Sequence, residues 1–258
     1  MLYLKSKAFV YNLFSAKPYI PKDATQQDLF LSKYPDFDGR GIKIAIIDTG
    51  IDLSLEGLQK TSEGFPKIID CFDFTESGNV ETSVIKEIDS KNYLIGLSGK
   101  KFKIPKNWKN PSGKWHLGLK ALYKQTIAKS SEKLPEIDCI VWFNGEKWCF
   151  CIETYKKDLS NAKVLTNFCD ANEYGILNFK GNEIVYCISV KNDGNLLEIF
   201  TRNFDYGTNT ALIAAANFPE KSENNGLAPG AQIISLNIFD PSTNIINFEH
   251  MERAVCLI

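Results

Sequence analysis

Asp38-Gly-Arg-Gly-Ile-Lys-Ile-Ala-Ile-Ile-Asp48-Thr-Gly50 is the stretch that decides the fold. Residues 42–47 form a β-branched, nearly continuous apolar run between a glycine-rich loop and a turn, as expected of a strand buried on both faces in a parallel sheet. A second run, Ala231-Gln-Ile-Ile-Ser-Leu-Asn-Ile238, follows the turn signal Ala228-Pro229-Gly230. Between them, Thr208 to Asn217 is rich in alanine and other small residues and reads as a close-packing helix. Strand, helix and strand give an α/β fold with a partial parallel sheet.

Residues 80–200 have a different texture. Ile137–Phe143 and Glu146–Ile152 flank Asn144-Gly145, which reads as a hairpin with a type I′ turn. Ile184–Val190 and Leu196–Thr201 flank Lys191–Asn195 and read as a second hairpin. A helix is expected over Leu117–Lys133. The chain therefore divides into an N-terminal extension (1–17), a first α/β segment (18–79), a β-rich α+β insert (80–200) and a second α/β segment (201–258). Phe248 to Ile258, with Met251, Ala254, Val255, Leu257 and Ile258, has the spacing of an amphipathic helix. Its apolar face would favour partner binding or aggregation where nothing covers it.

Composition excludes some functions. Thirty basic and 31 acidic residues leave a formal charge of -1, so no global field favours nucleic acid or an anionic membrane. No run approaches the roughly 20 apolar residues of a membrane span. Ala8–Ala16 is a weak match to a secretory leader, because Asn12 interrupts it, and the chain holds no Asn-x-Ser/Thr acceptor site with x other than proline. The seven cysteines are odd in number and mostly embedded in apolar runs. They read as free thiols of a reducing, cytoplasmic compartment. Cys149 and Cys151 would share a strand face, half of a metal site at most. His116 and His250 lack ligand spacing, so neither a metal nor any other cofactor is expected. Trp108, Trp115, Trp142 and Trp148 read as the core of the insert or as the lining of a groove.

Asp48 ends a buried parallel strand, where α/β sheets place functional groups. Asp-Thr-Gly alone leaves a functional carboxylate and a turn or helix cap evenly balanced. It is also the aspartic-peptidase motif, but that needs a second copy, which only a homodimer could supply here, and the α/β context argues against it.

The longer string from Tyr34 to Asp52 resembles the first catalytic segment of the subtilase family of serine peptidases. Gly64–Asp70, Ile95–Gly99, Ile104–Gly113, Asp193–Leu197, Tyr206–Ala215 and Asn225–Ser235 resemble its tripeptidyl-peptidase II branch, in the right order. The resemblance implies a subtilisin-like fold with a long insert, an aspartate at Asp48 that orients a histidine, and release of tripeptides from free peptide N-termini. Family members read His-Gly-Thr-His where this chain reads Tyr206-Gly-Thr-Asn209. The resemblance places the general base at the last of these, so Asn209 stands for it. A carboxamide has no nitrogen that titrates near neutral pH, so Asn209 is expected to hydrogen-bond Asp48 without shuttling a proton. The family's serine, on a Gly-Thr-Ser-type segment, and its oxyanion asparagine find no match here.

Three functions follow as expectations. The first is a non-catalytic homologue that binds peptides or a full-length relative, with a homo-oligomer implied weakly. The second is a fragment of a longer active exopeptidase. The third is an unrelated β-rich binding module.

Overall fold

The computed structural model describes residues 22–123, 133–152, 159–179, 182–241, 243 and 245–258. The N-terminal extension, the leader-like stretch and the far end of the expected 117–133 helix lie outside these. The chain forms two compact units. One takes in the described part of Met1–Thr75 with Asn178–Val185 and Thr201–Ile258, and the other comprises Glu76–Leu177 and Tyr186–Phe200.

Helix α1 (Gln27–Lys33) leads to β1 (Lys43–Asp48) and then β2 (Ile68–Asp73). The insert follows. It holds β3 (Asn79–Glu81), β4 (Val84–Lys86), β5 (Tyr93–Ile95), β6 (Lys101–Lys103), β7 (Trp115–Tyr123), β8 (Lys133–Phe143), β9 (Trp148–Cys151), β10 (Gly175–Phe179), β11 (Asn182–Lys191) and β12 (Leu196–Thr201). Beyond it come α2 (Tyr206–Ala215), β13 (Gln232–Asn237), the short pair β14 (Phe239–Asp240) and β15 (Ile245–Ile246), and α3 (Phe248–Leu257).

The first unit is built on a parallel sheet in the order β1-β13-β2. Because β1 is an edge strand here, it is less buried than its apolar run implies. Ile46 is fully covered, Ile44, Ala45 and Ile47 partly, and Ile42 just before the strand is exposed. Leu236 and Ile238 pack with Ala254 of α3. Ala254 is the buried residue of that helix, and Phe248, Met251, Val255, Leu257 and Ile258 are exposed.

The second unit contains the four-stranded sheet β4-β7-β8-β9, and β10-β11-β12-β3 pair in another four-stranded sheet. The first of these sheets corrects the expected helix. Trp115, Leu117, Leu119 and Ala121 alternate with His116, Gly118 and Lys120, a period of two that pairs β7 with β8 antiparallel. Local helix propensity in Lys-Ala-Leu loses to that pairing. The β8–β9 hairpin forms, but Phe143 pairs with Trp148, leaving four residues in the loop. Gly145 takes φ 103° and Asn144 does not have positive φ, so a type I′ turn is absent. Leu117, Ile140, Trp142, Cys149 and Cys151 share one core with Trp115. Trp108 stacks on Trp142 at 4.5 Å, and Trp142 Nε1 donates to the Lys109 carbonyl at 3.0 Å. These tryptophans build a core, not a groove, and Cys149 and Cys151 belong to it. Cys169 and Cys256 depart from the buried-thiol expectation by being exposed.

Candidate functional site

Strand β1 delivers Asp48 to the carboxyl edge of the parallel sheet, level with Asn237 of β13, which is in turn level with Asp73 of β2. Asn237 Nδ2 donates to Asp73 Oδ1 at 3.0 Å. The partly buried Asp48 carboxylate accepts from the Thr49 amide at 2.7 Å and from the Thr210 hydroxyl at 3.3 Å.

The loop after Asp48 is stitched to the start of α2 by a series of bonds. The Asn203 amide donates to the Thr49 carbonyl at 2.9 Å. Thr49 Oγ1 donates to the Phe204 carbonyl and accepts from the Gly207 amide, both at 3.3 Å. The Asp52 amide donates to Thr208 Oγ1 at 2.9 Å. Two glycines allow this approach. A Cβ at Gly50, whose φ is 85°, would sit 2.9 Å from the Thr201 carbonyl oxygen. A Cβ at Gly207 would sit 2.5 Å from the Gly50 carbonyl oxygen and 3.1 Å from Asp48 Cβ.

A buried ion pair reinforces the junction. Arg202 Nε lies 3.2 Å from Asp52 Oδ2, and both residues are nearly inaccessible. The Arg202 guanidinium also pairs with Asp205, the N-cap residue of α2. Ser54 completes the shell of Asp52, donating its amide at 2.9 Å and its hydroxyl at 2.6 Å.

The expected hydrogen bond from Asn209 to Asp48 is not made. Among the described residues, Thr210 is the α2 side chain that reaches the carboxylate, and Asn209 Oδ1 is buried without a partner. Thr210 lies three residues after Gly207, whose Cα packs on the Asp48 loop, and these two positions stack on one face of α2. Tyr206 itself is exposed, and its carbonyl accepts at 3.0 Å from the same Thr210 hydroxyl, whose single proton is shared between that carbonyl and the Asp48 carboxylate.

The chain matches the subtilase family model over residues 39–255. It belongs to the subtilase family. This subtilase is 34% identical over 284 residues to tripeptidyl-peptidase 2 of Caenorhabditis elegans, an alignment covering 85% of the chain and 20% of the relative. It is 30% identical to tripeptidyl-peptidase 2 of Arabidopsis thaliana, covering 86% of the chain and 21% of that protein. Its fold matches a crystal structure of tripeptidyl peptidase 2 with a TM-score of 0.70 at 20% identity, over 87% of the chain and 22% of that structure. The subtilase thus spans about a fifth of the length of the curated relatives it matches. No helix among its described residues is long and apolar enough to cross a membrane.

Asp48, Thr49, Asp52, Arg202, Asp205, Gly207 and Thr210 form one connected set in this subtilase. Sequence reading finds Asp48 and misses most of the rest. Asp52 lies inside the family-like string and Asp205 directly precedes α2, but neither announces its ion pair. The arrangement holds a carboxylate beside a helix terminus and offers it hydroxyl and amide donors. No imidazole is among the groups that bond it.

Proposed function

We propose that this chain is a non-catalytic, tripeptidyl-peptidase II-like subtilase segment that keeps the aspartate side of the site and lacks its proton-accepting base. The observation that carries the reading is the Thr210 hydroxyl on the Asp48 carboxylate, which identifies the α2 face turned toward it. This reading assigns the base position to Tyr206, one turn before Thr210, in place of Asn209. Neither the phenol of Tyr206 nor the carboxamide of Asn209 replaces imidazole as a base near neutral pH. A surviving role in the cytoplasm would be binding peptides or a full-length relative.

The test is turnover of a fluorogenic tripeptide substrate by the purified chain, by Tyr206→His and Asn209→His variants, and by an intact relative as control. All three forms of the chain stay silent while the control turns over. Specific cleavage by the unaltered chain would falsify the reading. Co-purification with a full-length relative tests the assembly role, and failure to associate removes it.

A second reading is favoured by 34% identity spread over 85% of the chain. The chain then contributes one part of a longer serine exopeptidase that releases tripeptides from free N-termini. Sequencing the full transcript decides: an in-frame extension bearing a Gly-Thr-Ser segment supports this reading, and a stop codon after Ile258 removes it.

A further inference from the structure

We propose that Arg202 is the positioning residue of the Asp48 site: its guanidinium bridges Asp52, on the loop leaving β1, and Asp205, at the start of α2, and so sets where the first turn of α2 sits against the Asp48 carboxylate. The proposal rests on the reading that Tyr206 and Thr210 face Asp48.

Three observations carry it. Asp52 and Arg202 are 2% and 7% exposed, so their contact at 3.2 Å is made largely out of water. A guanidinium is a planar fork that engages two carboxylates at once in fixed geometry, which an ammonium does not do. Asp48, Asp52 and Asp205 also bring three carboxylates to one junction, and like charges there repel unless a cation sits among them. The neutral bonds from Thr49 and Thr208 fix local distances, while the arginine joins loop and helix through charge.

An imidazole placed at position 206 reports the geometry directly. In the full chain carrying Tyr206→His, the new histidine is titrated by NMR. A carboxylate within reach raises its pKa by about one unit or more above the ordinary value near 6.5, and Asp48→Asn in the same background removes that rise. Adding Arg202→Lys keeps the positive charge but loses the fork, and the imidazole pKa falls back toward its ordinary value. Adding Arg202→Gln gives the same fall. A purely electrostatic role for Arg202 predicts the opposite, because deleting a nearby cation raises an imidazole pKa. The proposal is overturned if Arg202→Lys leaves the elevated value unchanged or Arg202→Gln increases it. Arg202→Lys decides alone where Arg202→Gln loses the dispersed spectrum of the folded chain. If Tyr206→His shows an ordinary pKa that is insensitive to Asp48→Asn, the facing geometry fails instead, so the two failures are distinguishable.

Discussion

Lys67 donates a 2.6 Å hydrogen bond to the carbonyl of Pro229, with its side chain fully buried. A second bond, 2.8 Å to the Ala231 carbonyl, completes the attachment of the turn before β13 to the start of β2. Burial lowers the ammonium pKa to about 8, against the opposing attraction of Asp38. In the unfolded chain a lysine titrates near 10.4, so between about pH 8 and 10 the unfolded state binds more protons. Stability therefore rises across that window, by on the order of 2–3 kcal/mol from this group. Urea unfolding midpoints at pH 7.5 and pH 10 check this. A Lys67→Met variant loses the contribution, and an unchanged pH slope in that variant refutes the assignment.

His116 works at the other end of the pH scale. It is buried in the second unit, with its ring edge-on to Trp148 at 5.4 Å. Burial holds its pKa below the ordinary histidine value, and contacts with Thr82 and Asn195 only partly oppose this. The unfolded chain takes up the proton first as pH falls below about 6.5, so acid progressively costs stability until the folded state is also protonated. His116→Gln flattens that limb. Denaturation followed by tryptophan emission at pH 7 and pH 5 measures the difference between the two proteins.

Gly207→Ala tests the packing of α2 on the Asp48 loop. The added methyl would meet the Gly50 carbonyl oxygen at 2.5 Å, and backbone is what must yield. Overpacking of this kind costs about 1–3 kcal/mol. Thermal unfolding reads the loss, and a neutral substitution would show that the junction is looser than its distances imply.

The α/β core is legible in the sequence because apolar runs, turn glycines and small-residue helices are local signals. β13 and α2 lie close to where their residues alone place them. β7 is not legible, since Leu117-Gly-Leu-Lys-Ala-Leu carries both a helical composition and a two-residue alternation, and only its partner strand decides between them. Asp48 stands out because a carboxylate ends an apolar run. Thr210 does not, being 162 positions from the carboxylate it bonds. The missing bond from Asn209 to Asp48 is not legible for a related reason: a string fixes a position in sequence, whereas the face it occupies depends on how α2 is rotated against β1.

The strand order β1-β13-β2 also has a consequence for synthesis on the ribosome. The central strand, Gln232–Asn237, is the last of the three to be made, and both of its neighbours lack their partner until the whole insert has been translated. At about 5–20 residues per second, that delay is on the order of ten seconds. During it, two apolar strands present open edges that invite pairing with other chains. Ribosome-stalled chains ending before Gln232 should be cut readily by protease within Lys43–Asp73, and chains extended past Asn237 should resist.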